Sequence, residues 1–252
     1  MAIVLSSGLK GGIGKTTNFR MMIEALRASG MNIAVFDGDR ANADTFRYLC
    51  EKDEKGQPIE NQKPTTGVVR SSVQTRDDIK KLVDLVGETL QNDNTIQHVV
   101  IDLPAGGEGS YIELLQKYPQ FERALRLIGK DKVILIFSMG DTTNSCIQLN
   151  LTLNNLIGKV KFVVVRSEHF PEPFYDQTEV KDRLKKIGGI EIMTPEWPRD
   201  LMQHLDINNG RFESITHLGC GLTLSSVAEA QDCWERTLEA WKPVINYLKE
   251  EE

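Results

Sequence analysis

A glycine-rich loop between an apolar segment and a helical pattern constrains this sequence more than any other feature. Residues 2–6 are mostly apolar, residues 8–16 read Gly-Leu-Lys-Gly-Gly-Ile-Gly-Lys-Thr, and residues 16–29 have the periodicity of an amphipathic helix. Backbone N–H groups along such a loop and the positive end of the following helix form a concave anion site. Glycine has no side chain, so the anion can approach the backbone closely. The order of strand, loop and helix therefore predicts a phosphate-binding loop.

The residues of this loop have separate roles in the prediction. Lys15 supplies a mobile positive charge for the β- and γ-phosphates of a nucleotide, and the hydroxyl of Thr16 is placed to ligate Mg²⁺. Thr17 can reach the α-phosphate. Leu9 stands where the strict form of the pattern has its first glycine. The glycines expected to line the site are Gly11, Gly12 and Gly14.

Aspartates follow two other apolar segments. Asp102 comes near the end of residues 98–103, and Asp37 and Asp39 follow residues 32–36. Strand ends in a parallel sheet border the same edge as the loop, so these carboxylates indicate a metal-assisted phosphoryl-transfer site in which Asp102 holds a water on the metal. Taken alone, each aspartate could instead cap a helix or stabilise a turn.

The rest of the pattern predicts an α/β fold with a doubly wound, mainly parallel sheet flanked by helices. Short segments that are apolar on both faces alternate with helical patterns, as in parallel sheets covered by helices. The predicted strands are residues 2–6, 32–36, 98–103, 132–137, 161–165 and 190–193. The predicted helices are residues 16–29, 77–91, 144–157, 176–187 and 222–241.

Glycine and proline residues refine the predicted ends of the helices. Gly30, Gly158 and Gly188 lie where helix C-terminal caps belong, and Pro243 is expected to kink or interrupt the C-terminal helix. Residues 52–67 are polar and aperiodic, which predicts a long, mobile surface loop. We expect residues 1–252 to form one domain.

Composition excludes several classes of protein. A hydrophobic fraction of 40% with 26% charged residues is typical of a globular protein, and no segment has the length and apolar character of a membrane span. No signal peptide is recognisable, so we expect a cytoplasmic protein without membrane insertion. The net charge of −6 disfavours a dedicated nucleic-acid binder but allows a local basic patch. The cysteines have no metal-site spacing and are expected to be buried, reduced thiols: Cys50, Cys146, Cys220 and Cys233.

With these residues assembled, the sequence resembles the deviant Walker A ATPases of the ParA/MinD type, whose loop reads K-G-G-x-G-K-T-[T/S]. The resemblance covers the loop, the turn at Asp37 to Asp39, the turn at Asp102 to Gly106, and more weakly the order of strands to about Pro195. It implies an ATP- and Mg²⁺-dependent sandwich homodimer. The loop is the specific part of the match.

The same resemblance implies roles for individual residues. Lys10 of one subunit would reach the phosphates bound by the other, although a lysine there could also add positive potential within its own subunit. Asp39 would position or activate the attacking water, and Thr16, Asp39 and Asp102 would form the Mg²⁺ site. Gly106 would belong to a switch segment that senses the γ-phosphate. Arg166 stands where many relatives have an asparagine that reads adenine, and residues 193–198 are an alternative source of base contacts.

Three hypotheses for function follow. The first is a plasmid partition or maintenance ATPase that dimerises with ATP, binds DNA without sequence preference and engages an adaptor or activator protein. The second is a positioning or conjugation accessory ATPase, similar to the small StbB/TraL-like group, with a protein partner and no DNA. The third is a metabolic ATP-dependent synthetase on the same fold. Candidate DNA-contacting residues, which could equally be ordinary solvated side chains, are Lys159, Lys161, Lys181, Arg183, Lys185 and Lys186.

Overall fold

The computed structural model describes residues 1–8, 14–104, 110–129, 132–140, 142–168, 173–176 and 178–250. The strands are β1 (Ala2–Gly8), β2 (Ile33–Asp37), β3 (Val69–Arg70), β4 (His98–Asp102), β5 (Val133–Ser138), β6 (Lys161–Ser167) and β7 (Ile190–Thr194). The helices are α1 (Lys15–Ala28), α2 (Asp44–Leu49), α3 (Arg76–Asn92), α4 (Ser110–Lys117), α5 (Gln120–Gly129), α6 (Thr143–Leu156), α7 (Pro173–Asp176), α8 (Glu179–Lys186), α9 (Arg199–Asn208) and α10 (Leu224–Glu250), with a 3₁₀ turn at Glu213–Ile215.

The described strands form one seven-stranded sheet in the order β3-β2-β4-β1-β5-β6-β7. All of its described strand pairs are parallel. The first strand pairs with β4 on one edge and β5 on the other, and every residue of it is buried. The carboxyl ends of β1, β2 and β4 meet at one edge, which is where open parallel sheets bind ligands.

Helices cover both faces of the sheet and form two apolar cores. Alternate residues of β1 belong to different cores: Val4 packs with α1 and α10, whereas Leu5 packs with α3 and α6. This alternation is the pleat of a strand buried on both sides. The predicted α/β fold is therefore confirmed, with an all-parallel sheet in the described part of the chain.

Most predicted elements are present with small shifts at their ends, and the helix predicted over residues 176–187 is present as α8, which begins three residues later at Glu179. The chain is extended at Thr178, with φ −106° and ψ 153°, and this residue separates α7 from α8. The hydroxyl of Thr178 donates to the carbonyl of Tyr175 at 3.0 Å, which stabilises this break. The predicted C-cap glycines are confirmed by left-handed φ values of 81°, 76° and 68° at Gly30, Gly158 and Gly188.

The C-terminal helix also differs from the prediction, because α10 continues through Pro243 to Glu250. Proline removes one backbone hydrogen bond inside a helix, at a cost of about 3 kcal/mol. Trp241, Val244 and Leu248 are fully buried around it, and this packing offsets the lost bond. No helix among the described residues has both the length and the apolar character needed to cross a membrane.

The segment of residues 52–67 has no helix or strand, although Lys52 and Pro58 form an isolated antiparallel bridge. Its end contacts the domain through backbone carbonyls. Val35 N–H donates to the carbonyl of Pro64 at 2.9 Å, and the Arg27 guanidinium donates to the same carbonyl at 3.3 Å. The segment is thereby attached to both β2 and α1.

A buried histidine makes the stability of the fold sensitive to acid. His98 is fully buried, and its Nδ1 accepts the N–H of Ala2 at 3.2 Å. Burial, with a smaller effect of the N-terminal ammonium, lowers the pKa of His98 from 6.5 to about 4. As the pH falls, the unfolded chain therefore binds a proton at His98 before the folded chain does. The contribution of neutral His98 to the free energy of unfolding is complete above pH 6.5 and is lost towards pH 4.

We expect the free energy of unfolding to fall by about 3 kcal/mol over this range because of His98 alone. Urea unfolding of wild type and His98→Asn between these pH values measures the effect, since the asparagine oxygen can replace Nδ1 as the acceptor for Ala2. The variant should lose this part of the acid dependence. An unchanged slope would show that His98 does not titrate in this range.

Candidate functional site

The first turn of α1 lies at the carboxyl edge of the sheet, directly after the glycine-rich loop. Gly14 immediately precedes the helix with φ 73°, a left-handed conformation that favours glycine. No side chain caps this end of α1, and its first turn contains no acidic residue. The positive end of the helix is therefore available to an anion. Thr16 and Thr17 are half-buried in this turn.

Lys15 is buried and bound to the end of β4. Its Nζ lies 2.8 Å from Oδ1 of Asp102, 2.6 Å from the carbonyl of Leu103 and 3.4 Å from Oγ of Ser6. The side chains of Lys15 and Asp102 are only 8% and 4% exposed, so solvent screens this ion pair weakly. In this conformation, the charge of Lys15 is neutralised by the protein itself.

Asp102 is the centre of this cluster. Besides Lys15, its Oδ1 accepts the hydroxyl of Ser6 at 2.5 Å, and its Oδ2 accepts the hydroxyl of Thr45 at 2.6 Å. Ser6 also accepts the backbone N–H of Leu103 at 2.7 Å, which fixes the end of β4 against β1. Both carboxylate oxygens are therefore hydrogen-bonded within the protein. A metal ion beside Asp102 would fit best through an intervening water.

Asp37 lies directly beside Asp102 in the register of β2 and β4. Its carboxylate accepts the backbone N–H groups of Asp39 and Phe46, at 2.9 Å and 2.8 Å. Burial raises the pKa of Asp37 to about 7, and the nearby charge of Asp102 adds to this effect. Two adjacent buried carboxyls make this edge electrostatically favourable for a cation.

Asp39, the predicted catalytic residue, is half-buried at the start of a turn. Its Oδ1 accepts the backbone N–H groups of Ala41 and Asn42, both at 3.0 Å. Asp39 therefore stabilises this turn, as the alternative interpretation of the aspartate predicts. Its other carboxylate oxygen makes no hydrogen bond to the described residues.

Some predicted site residues lie outside the described part of the chain, namely Lys10, Gly11, Gly12 and Gly106. Sequence reasoning missed two residues that the structure adds to the site. Ser6 gave a weak signal, as a polar residue at the end of an apolar strand. Thr45 gave none, because its place beside Asp102 depends on how α2 packs against the sheet.

The described residues contain no cluster of three or more His, Cys, Asp or Glu side chains that could hold a metal ion alone. Mg²⁺ keeps several waters and is bound through one or two protein groups together with substrate phosphates. Thr16 at the start of α1 and Asp102 at the end of β4 supply oxygen groups of this kind. The donor set therefore suits a metal that arrives with a nucleotide.

The candidate base-reading positions are engaged within the protein. Arg166 forms ion pairs with Asp176 and Glu191, both at 3.1 Å. At the end of β7, the hydroxyl of Thr194 donates to Oδ1 of Asn18 at 3.0 Å, which connects the proposed base-contact segment to α1. Arg166 is thus held by carboxylates on β7 and α7.

The six predicted DNA-contacting residues do not form one free basic face. Lys181 pairs with Asp176, and Arg183 donates to the side chains of Asn150 and Asn154 on α6. The exposed members of the set are Lys159, Lys185 and Lys186. All described cysteines are free thiols; Cys220 is half-buried and the other three are buried.

Comparison with known proteins supports the fold. No protein-family model matches this chain, and no curated protein sequence matches it. Among solved structures, it is similar to the MinC:MinD cell division protein complex of Aquifex aeolicus, with a TM-score of 0.50, 18% identity, and coverage of 95% of this chain and 96% of that chain. It is also similar to the septum site-determining protein MinD of Pyrococcus horikoshii OT3 complexed with Mg-ADP, with a TM-score of 0.52, 13% identity and 98% coverage of both chains. In fold, this chain is therefore similar to the MinD-type P-loop proteins along nearly its whole length.

Proposed function

We propose that this chain is a ParA/MinD-like ATPase that binds Mg-ATP at the carboxyl edge of its sheet and hydrolyses it slowly. The observation that carries the proposal is the ion pair between Lys15, at the start of an uncapped helix, and Asp102, at the end of the adjacent strand. The similar MinD of Pyrococcus horikoshii was solved with Mg-ADP, which agrees with this ligand class.

Each site residue then has a role in binding. The backbone of Gly11, Gly12 and Gly14 would surround the phosphates, and Thr17 would contact the α-phosphate. Lys15 would exchange its bond to Asp102 for the β- and γ-phosphates.

Hydrolysis needs a second group of residues. Thr16 and a water on Asp102 would hold Mg²⁺, which neutralises negative charge on the phosphates when it is bound. Asp39 would orient the attacking water through its second carboxylate oxygen, and Gly106 would sense the γ-phosphate. Lys10 would act on the nucleotide of a second subunit in an ATP-dependent homodimer.

The experiment that tests this proposal is a titration of the protein with a fluorescent ATP analogue, with Mg²⁺ and with EDTA. We expect saturable binding that unlabelled ATP reverses and that Thr16→Ala weakens only in the presence of Mg²⁺. Lys242→Ala, a change at an exposed surface pair with Glu239, serves as the control and should bind normally. Absence of binding to the wild type would refute the proposal.

In the cell, such an ATPase would act in plasmid or DNA partition, or as a positioning or conjugation accessory protein with a protein partner. The contacts of two basic residues support the second of these roles. Lys181 and Arg183, two of the predicted DNA contacts, are engaged by Asp176 and by asparagines of α6. ATP-dependent binding of duplex DNA that weakens steeply with salt would restore the partition role.

A further inference from the structure

A pocket lies at the opposite edge of the sheet from Lys15 and Asp102. It has a volume of about 420 Å³ and is formed where β5 and β6 begin, beside the ends of α6, α8 and α10. We call it the basic pocket; its defining residues are Lys132, Ile157, Lys159, Lys161, Ile187 and Tyr247. The proposed nucleotide chemistry uses none of them.

The walls of the basic pocket are apolar. Val133 and Val160 line it together with Ile157, Ile187 and Tyr247. Ile157 follows the last residue of α6 and is 48% exposed, and Gly158 after it turns the chain with φ 76°. An exposed isoleucine in a concave site is a point where an apolar group of a ligand can be buried away from water.

Lysines surround these apolar walls. Lys161 is fixed in place, since its ammonium donates to the carbonyl of Gly188 and lies 4.8 Å from the ring centroid of Tyr247. Lys159 is exposed on the turn between α6 and β6, and Lys132 precedes β5. No Asp or Glu is among the described residues that line the pocket. On a chain of net charge −6, this is a local concentration of positive charge.

We propose that the basic pocket binds an acidic segment of a partner protein. An apolar side chain of the partner fills the space between Ile157, Ile187 and Tyr247, and its neighbouring carboxylates meet Lys159 and Lys161. Such a segment would be complementary to the pocket, because charge around an apolar anchor is the arrangement by which protein interfaces obtain both specificity and affinity.

The same features disfavour a nucleic acid. A phosphate backbone has no apolar group to place against Ile157 and Ile187. A base could stack on an aromatic ring, but Lys161 already lies over one face of Tyr247. Since the pocket opens at the edge opposite to the first turn of α1, a partner can bind there without covering the proposed nucleotide site.

The test uses fluorescein-labelled peptides made of glutamates with one central Leu, Ile, Phe or Trp, and an all-glutamate peptide for comparison. Fluorescence anisotropy with the full chain should show saturable binding of at least one apolar-centred peptide, and weaker binding of the all-glutamate peptide. Ile157→Ser and Lys159→Glu should each weaken the binding about tenfold, the usual effect of removing one interface anchor.

Matched controls come from the same chain. Ile207→Ser replaces an isoleucine on α9 that is 80% exposed, and Lys80→Glu replaces an exposed lysine on α3. Neither should change peptide binding. Binding of the ATP analogue should be the same in all four variants, so a failure of the nucleotide proposal and a failure of this one are separate results.

Four outcomes would overturn the inference. The first is that none of the peptides binds, and the second is that the control variants weaken binding as much as the pocket variants. The third is binding of duplex DNA, lost in Lys159→Glu, with no peptide binding. The fourth is a concentration-dependent dimer that Ile157→Ser and Lys159→Glu abolish, which would assign the pocket to the acidic segment Glu250-Glu251-Glu252 of a second copy.

Discussion

Replacing Lys15 with alanine is expected to abolish Mg-ATP binding and also to lower the free energy of unfolding of the nucleotide-free protein by about 3–5 kcal/mol. The first effect follows from the loss of the phosphate-binding ammonium. The second follows from the ion pair, because Lys15→Ala leaves Asp102 buried at 3% exposure without its cation. Removing one partner of a buried pair is far more costly than removing both.

A double variant separates these two effects. In Lys15→Ala/Asp102→Asn, the uncompensated charge is gone and the new side chain still offers an oxygen to Ser6 or Thr45. We expect this variant to regain about 2 kcal/mol or more of the stability lost in Lys15→Ala, as a coupling energy between contacting residues. Nucleotide binding should not return, because the ammonium is still missing.

Urea unfolding of the wild type, both single variants and the double variant completes the cycle, and the fluorescent ATP titration is run on the same samples. Lys242→Ala should match the wild type in both measurements. Additive losses of stability would show that Lys15 and Asp102 are not coupled in solution. Normal binding of Mg-ATP by Lys15→Ala would remove this residue from the phosphate site.

The sequence supported the prediction of the site's framework because its signals are local. The loop, the strand before it and the helix after it occupy fixed positions along the chain, and buried parallel strands are apolar on both faces. This placed Asp37 and Asp102 at neighbouring strand ends, as the register of β2 and β4 confirms. The state of Lys15 could not be predicted, since its pairing with Asp102 spans 87 residues.

Elements without a local signal were missed. The strand β3 has two residues, and its place in the sheet depends on pairing with Phe36 and Asp37. The helix α2 has six residues, too few for a periodic pattern, and it is held by Asp37, which accepts the N–H of Phe46. Pro243 does not interrupt α10, contrary to one of the two expected effects, because tertiary packing outweighs a strong local signal.

Asp39→Ala is expected to reduce phosphate release about a hundredfold or more while Mg-ATP still binds, so that the protein accumulates in its ATP-bound state. If that state is a dimer, light scattering should show twice the monomer mass of 28.4 kDa with Mg-ATP and the monomer mass with ADP. Loss of the turn bonds to Ala41 and Asn42 should cost about 1 kcal/mol. Asp39→Asn is the matched variant, because it keeps the oxygen that accepts these bonds and removes only the charge.

Adding Lys10→Ala to Asp39→Ala distinguishes the two interpretations of Lys10. A lysine that acts on the partner's nucleotide should be needed for the doubled mass but not for ATP binding by the monomer. A lysine that only adds positive potential within its own subunit should weaken ATP binding by the monomer directly. A mass of Asp39→Ala that is the same with ATP and ADP would contradict ATP-gated dimerisation. It would support a metabolic enzyme instead, in which a substrate and not a second subunit completes the site.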